Sequence, residues 1–376
     1  MLDRKVTEKI ENGIKEYFGV NHVFLVSSGK ASLALILKGL QGMSKRRKVI
    51  IPAYTCYSVP SAVAMTGLDI VLCDLLPDTL DYDFGELEKL VDEDTLCIIS
   101  THLFGIPSDV RRIRDIGRKR GIYIIEDAAQ AMGAVQGRDK LGTLGDAAFF
   151  SLGRGKNITC GSGGIIVTSS EEIGRNIKKH YRELKEEPPG EYLKNIIEVG
   201  LMKVLINPYF YWFPEGLPFL KIGETRFYNT FPLYRLSSFK AGLLHRWRAK
   251  LDESNNFRSI IGQYYINHLD LEKRIPMYSD DFYYLRFPLY MRHESLKNNI
   301  CNRYKYLGVS AMYPDSINNI FEIREKLGNT QYKHAEAIAK TLFTLPTHGL
   351  VTESDKVKIC EAIKKGLSSI QLSVPI

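Results

Sequence analysis

The chain has 376 residues, with 51 Lys and Arg against 43 Asp and Glu for a net charge of +8 at pH 7; 44% of it is hydrophobic and 25% charged. This is an ordinary globular make-up with length enough for a full core, so collagenous, coiled-coil, disordered and small disulfide-stapled classes are excluded. The positive excess is modest and spread out, with one short basic run at residues 45–48; it gives no nucleic-acid stripe but suits an anionic small substrate.

Residues 1–18 carry charges throughout and lack the uninterrupted apolar core of a secretory signal, so a cytoplasmic protein is expected. Residues 23–26, 49–51, 70–73, 97–100, 123–125, 147–150 and 165–168 then read as short, near-continuous apolar strands. Amphipathic stretches such as 31–40 and 109–119 lie between them, which argues for a mostly parallel sheet with helices on both faces. Ligands of such sheets gather at the carboxyl ends of the strands.

Beyond residue 168 the character changes. Residues 171–185 read as a charged surface helix, followed by the turn Glu187-Pro188-Pro189-Gly190. The stretch 192–220 combines Leu201-Met202-Lys203-Val204-Leu205-Ile206 with the aromatic run Tyr209-Phe210-Tyr211-Trp212-Phe213. Lys194, Glu198, Lys203 and Glu215 interrupt it, so it falls short of the roughly 18 uncharged residues of a membrane span. A buried subunit-contact or lid insertion at about 190–222 is expected, with peripheral membrane contact or a cap over a greasy substrate as the alternatives. A long helix is predicted from 237 through 251 and on toward 265, then a strand at 282–290 and helices around 295–307, 332–341 and 353–366, with 344–348 separating the last two. The expected division is a large domain, 1–236, and a smaller α+β domain, 237–376. Six cysteines, Cys56, Cys73, Cys97, Cys160, Cys301 and Cys360, show no CxxC spacing and read as reduced thiols, with no metal site expected.

Three motifs carry chemistry. In Val26-Ser27-Ser28-Gly29-Lys30-Ala31 a predicted strand ends and a helix starts. A Ser/Gly turn there leaves backbone N–H groups at a positive helix end, an anion site to which Lys30 adds charge; the plain alternative is a Ser28 N-cap without a ligand. Ile124-Ile125-Glu126-Asp127-Ala128-Ala129-Gln130 delivers two carboxylates and an amide to a strand end. A buried Asp is costly unless paired, so one of the two acids should face a positive partner, unless the turn is solvated with Gln130 on a helix face. The third runs from Phe149 to Asn157 and on to Gly161-Ser162-Gly163-Gly164, a Gly-rich loop with Lys156 in its middle. A Lys in a partly desolvated cleft loses its proton readily enough to attack a carbonyl; otherwise Lys156 is a surface hairpin residue. The phosphate pattern GxxxxGK[ST] fails, because Phe150 occupies its first Gly position and Asn157 follows the Lys. A phosphate cup, an acid for a pyridine nitrogen and an amine for a Schiff base are together what pyridoxal phosphate needs.

The Ser28-Gly29 turn, Ile51-Pro52-Ala53-Tyr54-Thr55, Asp74 with Pro77-Asp78-Thr79, His102-Leu103-Phe104-Gly105-Ile106-Pro107, residues 126–131, Gly145-Asp146-Ala147, Ser151 through Lys156-Asn157, Tyr234-Arg235-Leu236-Ser237 and Leu345-Pro346 extend the pattern over most of the chain. On these residues the sequence resembles the DegT/StrS family of pyridoxal-phosphate-dependent sugar aminotransferases, of the fold-type-I group. The resemblance implies an α/β fold, with a large domain built on a mostly parallel seven-stranded sheet between helices and a smaller C-terminal α+β domain. It implies that Lys156 forms the Schiff base and shuttles the α-proton, that Asp127 pairs with the protonated ring nitrogen, and that Gln130 bonds the phenolic oxygen. Ser151 and the Ser28-Gly29-Lys30 turn would hold the phosphate, and Tyr234 and Arg235 fall in a loop expected to reach the neighbouring subunit of a homodimer with shared sites.

Four positions depart from the family pattern: Lys30 for a Thr, Cys56 for a ring-stacking aromatic, Ser162 for a Glu and Leu233 for an Asn that reaches the partner's phosphate. The change at 56 would pass stacking to Tyr57 or His102, or leave the ring without it. The implied activity is transfer of an amino group from glutamate to a keto sugar, linked to a nucleoside diphosphate, in surface polysaccharide or amino-sugar biosynthesis. Lys at 156, where the dehydratase branch has His, disfavours that branch. A non-nucleotide or lipid-linked carbonyl substrate, and a noncatalytic regulatory protein that keeps the fold, are the alternatives.

Overall fold

A computed structural model describes residues 2–188, 226–269, 271, 277–328 and 330–368. The aromatic stretch 192–220 lies outside the described residues. All seven predicted strands form: β1 (His22–Val26), β2 (Lys48–Pro52), β3 (Asp69–Cys73), β4 (Thr95–Thr101), β5 (Tyr123–Asp127), β6 (Ala147–Ser151) and β7 (Gly164–Thr168). The seven-stranded expectation is corrected by two further pieces, β8 (Lys185–Glu186) and β9 (Tyr234–Arg235), which join the same sheet. Two residues carry no alternation, so pattern reading misses such strands.

The sheet order is β8-β9-β1-β7-β6-β5-β4-β2-β3. From β3 to β6 all pairs are parallel, and β7 runs antiparallel to both β6 and β1. Burial on both faces explains why the strands are continuously apolar; all seven residues of β4 are buried. The two-residue period then sorts them. Val49, Ile51, Cys97, Ile99, Ile125 and Phe149 pack on one side with α2 (Gly29–Gln41), α3 (Ser58–Met65) and α6 (Glu171–Glu183). Ile50, Ile98 and Ile124 point to the other side, against α4 (Phe84–Leu90) and α5 (Val110–Arg118). Farther along that second face Leu25, Phe150 and Val167 meet α1 (Leu2–Phe18).

The long helix predicted from 237 is two helices, α7 (Ser238–Leu243) and α8 (Trp247–His268), broken where Arg246 adopts the left-handed conformation at φ 57°. Of residues 344–348, read as a break between helices, 344–346 belong instead to a strand. The predicted strand at 282–290 shortens to β10 (Arg286–Tyr290), and it pairs antiparallel with β11 (Leu342–Pro346). Helices α9 (Glu294–Arg303), α10 (Phe321–Leu327), α11 (Lys333–Thr341) and α12 (Glu353–Ser368) complete this part. Its apolar side chains, Phe287, Leu289, Phe343 and Leu345 among them, are continuous with the α2 face of the sheet. Asp74 strengthens the junction, its carboxylate accepting the first-turn N–H groups of His334 and Ala335 at 3.0 and 2.8 Å.

Candidate active site

The site sits where the parallel strands end. Ser28 follows β1 in an extended conformation and caps α2, its Oγ accepting the Ala31 N–H at 3.2 Å. Ser28 is thus an N-cap, and the cap leaves the first-turn N–H groups of Gly29 and Lys30 without helical partners. A Cβ on Gly29 would stand 3.0 Å from Ser151 Cβ and 3.2 Å from its Oγ, so only glycine lets the helix start against the end of β6. Ser151 Oγ in turn accepts the Gly153 N–H at 3.3 Å. Lys30 sends its ammonium over the Tyr228 and Phe231 rings, 4.3 and 4.7 Å from their centroids. Burial lowers its pKa and nearby Cys56 opposes that. Cys56 is half-buried; the other five thiols are buried, and all six are free.

At the end of β5 the two acids face opposite sides, and neither is solvated. Glu126 is fully buried; it accepts the N–H groups of Gly142, Leu144 and Gly145 at 2.8, 2.7 and 2.6 Å, and stands 3.0 Å from His102 Nε2. Asp127, 5% exposed, accepts the Ala129 N–H at 3.0 Å. Burial raises the Asp127 pKa; the Ala129 bond, Lys156 and His102 pull against it.

Lys156, in the loop that joins the antiparallel strands β6 and β7, is half-buried. Burial is the main cause that lowers its pKa; Arg258 adds to this, while Cys56 and Asp127 oppose it. Its neighbour Asn157 donates from Nδ2 to Asn255 Oδ1 at 2.9 Å, and Arg258 Nη2 donates to the Lys156 carbonyl at 3.4 Å. Gln130 is buried and spent at both ends: Oε1 accepts the Phe104 N–H at 3.0 Å and Nε2 donates to Tyr313 Oη at 2.7 Å. Tyr313 packs edge-on to Tyr54 and stacks with Phe104, closing one wall.

His102 has both ring nitrogens engaged within the protein. It is wholly buried, Nδ1 accepts the Ser108 N–H at 3.1 Å, and the proton left on Nε2 goes to Glu126, so both nitrogens are committed. Tyr57, the other stacking candidate, donates its hydroxyl to the Asp315 carbonyl at 3.2 Å. Tyr234 and Arg235 lie not in a free loop but in β9, where the Ser27 N–H bonds the Tyr234 carbonyl at 3.0 Å and Val26 pairs with Arg235. Ser162 accepts from Lys240 Nζ at 2.7 Å, and that ammonium also reaches Glu187 Oε1 at 2.6 Å. Asn255, Arg258 and Tyr313 were not found from the sequence. Their only signal is two polar residues one turn apart on a helix face otherwise read as core, and Tyr313 has none.

A buried acid, a desolvated amine and an anion-binding helix start thus converge, an arrangement able to hold a phosphorylated aldehyde. The DegT/DnrJ/EryC1/StrS aminotransferase family model matches residues 3–202. The GDP-perosamine synthase of Caulobacter vibrioides is 34% identical over 170 residues, which cover 45% of this chain and 46% of that protein, and the one of Vibrio cholerae is 29% identical over 169 residues, with the same shares. The match therefore spans about half the length of these curated relatives. Among solved structures, Helicobacter pylori PseC, an aminotransferase involved in the biosynthesis of pseudoaminic acid, superposes with TM-score 0.76 at 19% identity over 98% of this chain and 96% of its own. The structure of NtdA from Bacillus subtilis with bound cofactor PMP gives 0.75 at 21%, over 96% and 77%. These two show the fold. Matched over more than half its length, the chain belongs to the DegT/DnrJ/EryC1/StrS aminotransferase family.

Proposed function

We propose that the protein is an aminotransferase that uses pyridoxal 5′-phosphate to move an amino group from glutamate onto a keto sugar carried by a nucleoside diphosphate, as in surface polysaccharide or amino-sugar biosynthesis. The observation that carries this reading is that Lys156, Asp127 and the Gly29–Ser151 cradle meet at one edge of the sheet. The cofactor fits them. Asp127 has one backbone donor and no side-chain donor among the described residues, so it can accept from a protonated ring nitrogen. The buried Thr101 hydroxyl, which has no partner, lies on β4 in register with Asp127.

When bound, the cofactor supplies an aldehyde that condenses with amines and a ring that withdraws electrons from the bond being broken. Lys156 supplies the condensing amine, whose protonation burial disfavours, and afterwards carries a proton at Nζ. Gly29, Lys30 and Ser151 hold the phosphate, Asp127 fixes the ring, Gln130 orients it with its remaining N–H, and Cys56 lies beside both lysines. The GDP-perosamine synthase relatives support the sugar substrate, and the +8 charge suits a diphosphate. The same reading takes residues 1–236 and 237–376 as the two domains, a homodimer whose partner is met by Tyr234 and Arg235, and a cytoplasmic site. No helix among the described residues is long and apolar enough to cross a membrane.

The test is to load the protein with pyridoxal phosphate, convert it with glutamate, and screen the product spectrally against keto sugars with and without a nucleoside diphosphate. Return of the starting spectrum with a nucleotide-linked ketone supports the proposal. Return only with non-nucleotide ketones, or failure to take up cofactor, overturns it.

A further inference from the structure

One helix grips the Lys156 loop from behind. Arg258 on α8 is 4% exposed, and besides the Lys156 carbonyl it bonds the Leu285 carbonyl and Thr347 Oγ1 through Nη1, at 2.6 and 3.1 Å. Its buried Nε has no acceptor among the described residues. All these acceptors are neutral oxygens, so the guanidinium charge is not cancelled by a carboxylate among the described residues, a costly arrangement for a buried ion. One turn earlier Asn255, 5% exposed, accepts from Asn157 and donates to the Met132 carbonyl at 2.9 Å, in the loop that follows Asp127. Gly133 makes room for it: a Cβ there would stand 2.6 Å from Asn255 Nδ2.

We propose that Asn255 and Arg258 are positioning residues for the proposed reaction: Asn255 fixes the Lys156 loop against the Asp127 loop, and the uncompensated guanidinium of Arg258 favours the neutral Lys156 amine. The charged and titratable groups around that amine are Asp127 from β5, Cys56 from the turn after β2, and Arg258 from α8. Asp127 and Cys56 favour the ammonium; Arg258 sides with burial against it. Arg286 and His348 face Arg258 in turn. Burial, with Arg286 adding to it, brings Arg258 itself down to about 10.

The inference rests on the proposed covalent role of Lys156, but its test reads the full chain freed of cofactor, so the two fail separately. Lys156 is pulse-labelled with acetic anhydride across a pH series and quantified by peptide mass spectrometry, alongside a thermal melt. At the pH of half-maximal labelling in the parent, Arg258→Gln and Arg258→Met should label about tenfold less, with the midpoint moved up; Arg258→Lys should restore it. Asn255→Ala should slow labelling at every pH and leave the midpoint in place. A purely structural Arg258 would lower the melt and leave the midpoint unmoved. An unmoved midpoint in the neutral variants, or failure of both to fold while Arg258→Lys folds, overturns the proposal.

Discussion

Glu126 and Asp127 are consecutive residues on opposite faces of one strand, and the protein treats their charges in opposite ways. The Glu126 side surrounds its carboxylate with three backbone N–H groups and a histidine, spending every lone pair on holding residues 142–145 and His102 in place. The Asp127 side leaves its carboxylate one backbone donor and sets a half-buried amine and a helix start nearby. A satisfied charge makes architecture; an under-satisfied one is held ready for a ligand.

If that contrast is real, the largest effect belongs to the amine on the Asp127 side. Lys156→Ala should cut glutamate turnover by at least about 10⁴-fold, because covalent capture and the proton carrier go together, with no loss in the thermal melt. Turnover within tenfold of the parent would break the comparison.

Asp127→Asn should cost about 10²- to 10⁴-fold in turnover, while the cofactor-free fold is no less stable at neutral pH. The sign follows from burial. The folded Asp127 carboxyl holds its proton above the ordinary carboxylate range, so the unfolded chain binds fewer protons in that window and stability falls as pH rises through it. The Asn variant lacks that slope, which urea titrations at pH 4 and pH 7 will show.

Glu126→Ala strips the acceptor from three buried N–H groups and should lose about 3–5 kcal/mol in denaturant titration, whether or not cofactor is present. Equal losses from Asn at 127 and Ala at 126 would erase the distinction between the faces. Smallest of all, Ser28→Ala removes the cap of α2 and should cost about 1 kcal/mol of stability.

What the sequence made legible is what local chemistry writes. Apolar runs of three or four residues located the seven main strands, and the turns around Lys156 and after Ser28 marked the candidate site. Contacts that cross the chain were not written locally. The donors to Glu126 come from residues 142–145, so nothing in the Glu-Asp pair alone told the structural acid from the chemical one. Asn255, Arg258 and Tyr313 reach the site from 98, 102 and 183 residues downstream of the residues they bond. His102 looked available because its commitments, Ser108 and Glu126, are set by how β4 and β5 pack side by side. The break between α7 and α8 rests on one left-handed arginine, which no helical pattern announces.

The most direct test of the account is to incubate the full chain with pyridoxal phosphate, reduce it with borohydride and map the labelled peptide. A single pyridoxyl group on Lys156, formed to a smaller extent when excess inorganic phosphate competes before the reduction and absent from Lys156→Ala, is the predicted result. A label on Lys30 in its place, or an unlabelled Lys156, contradicts it.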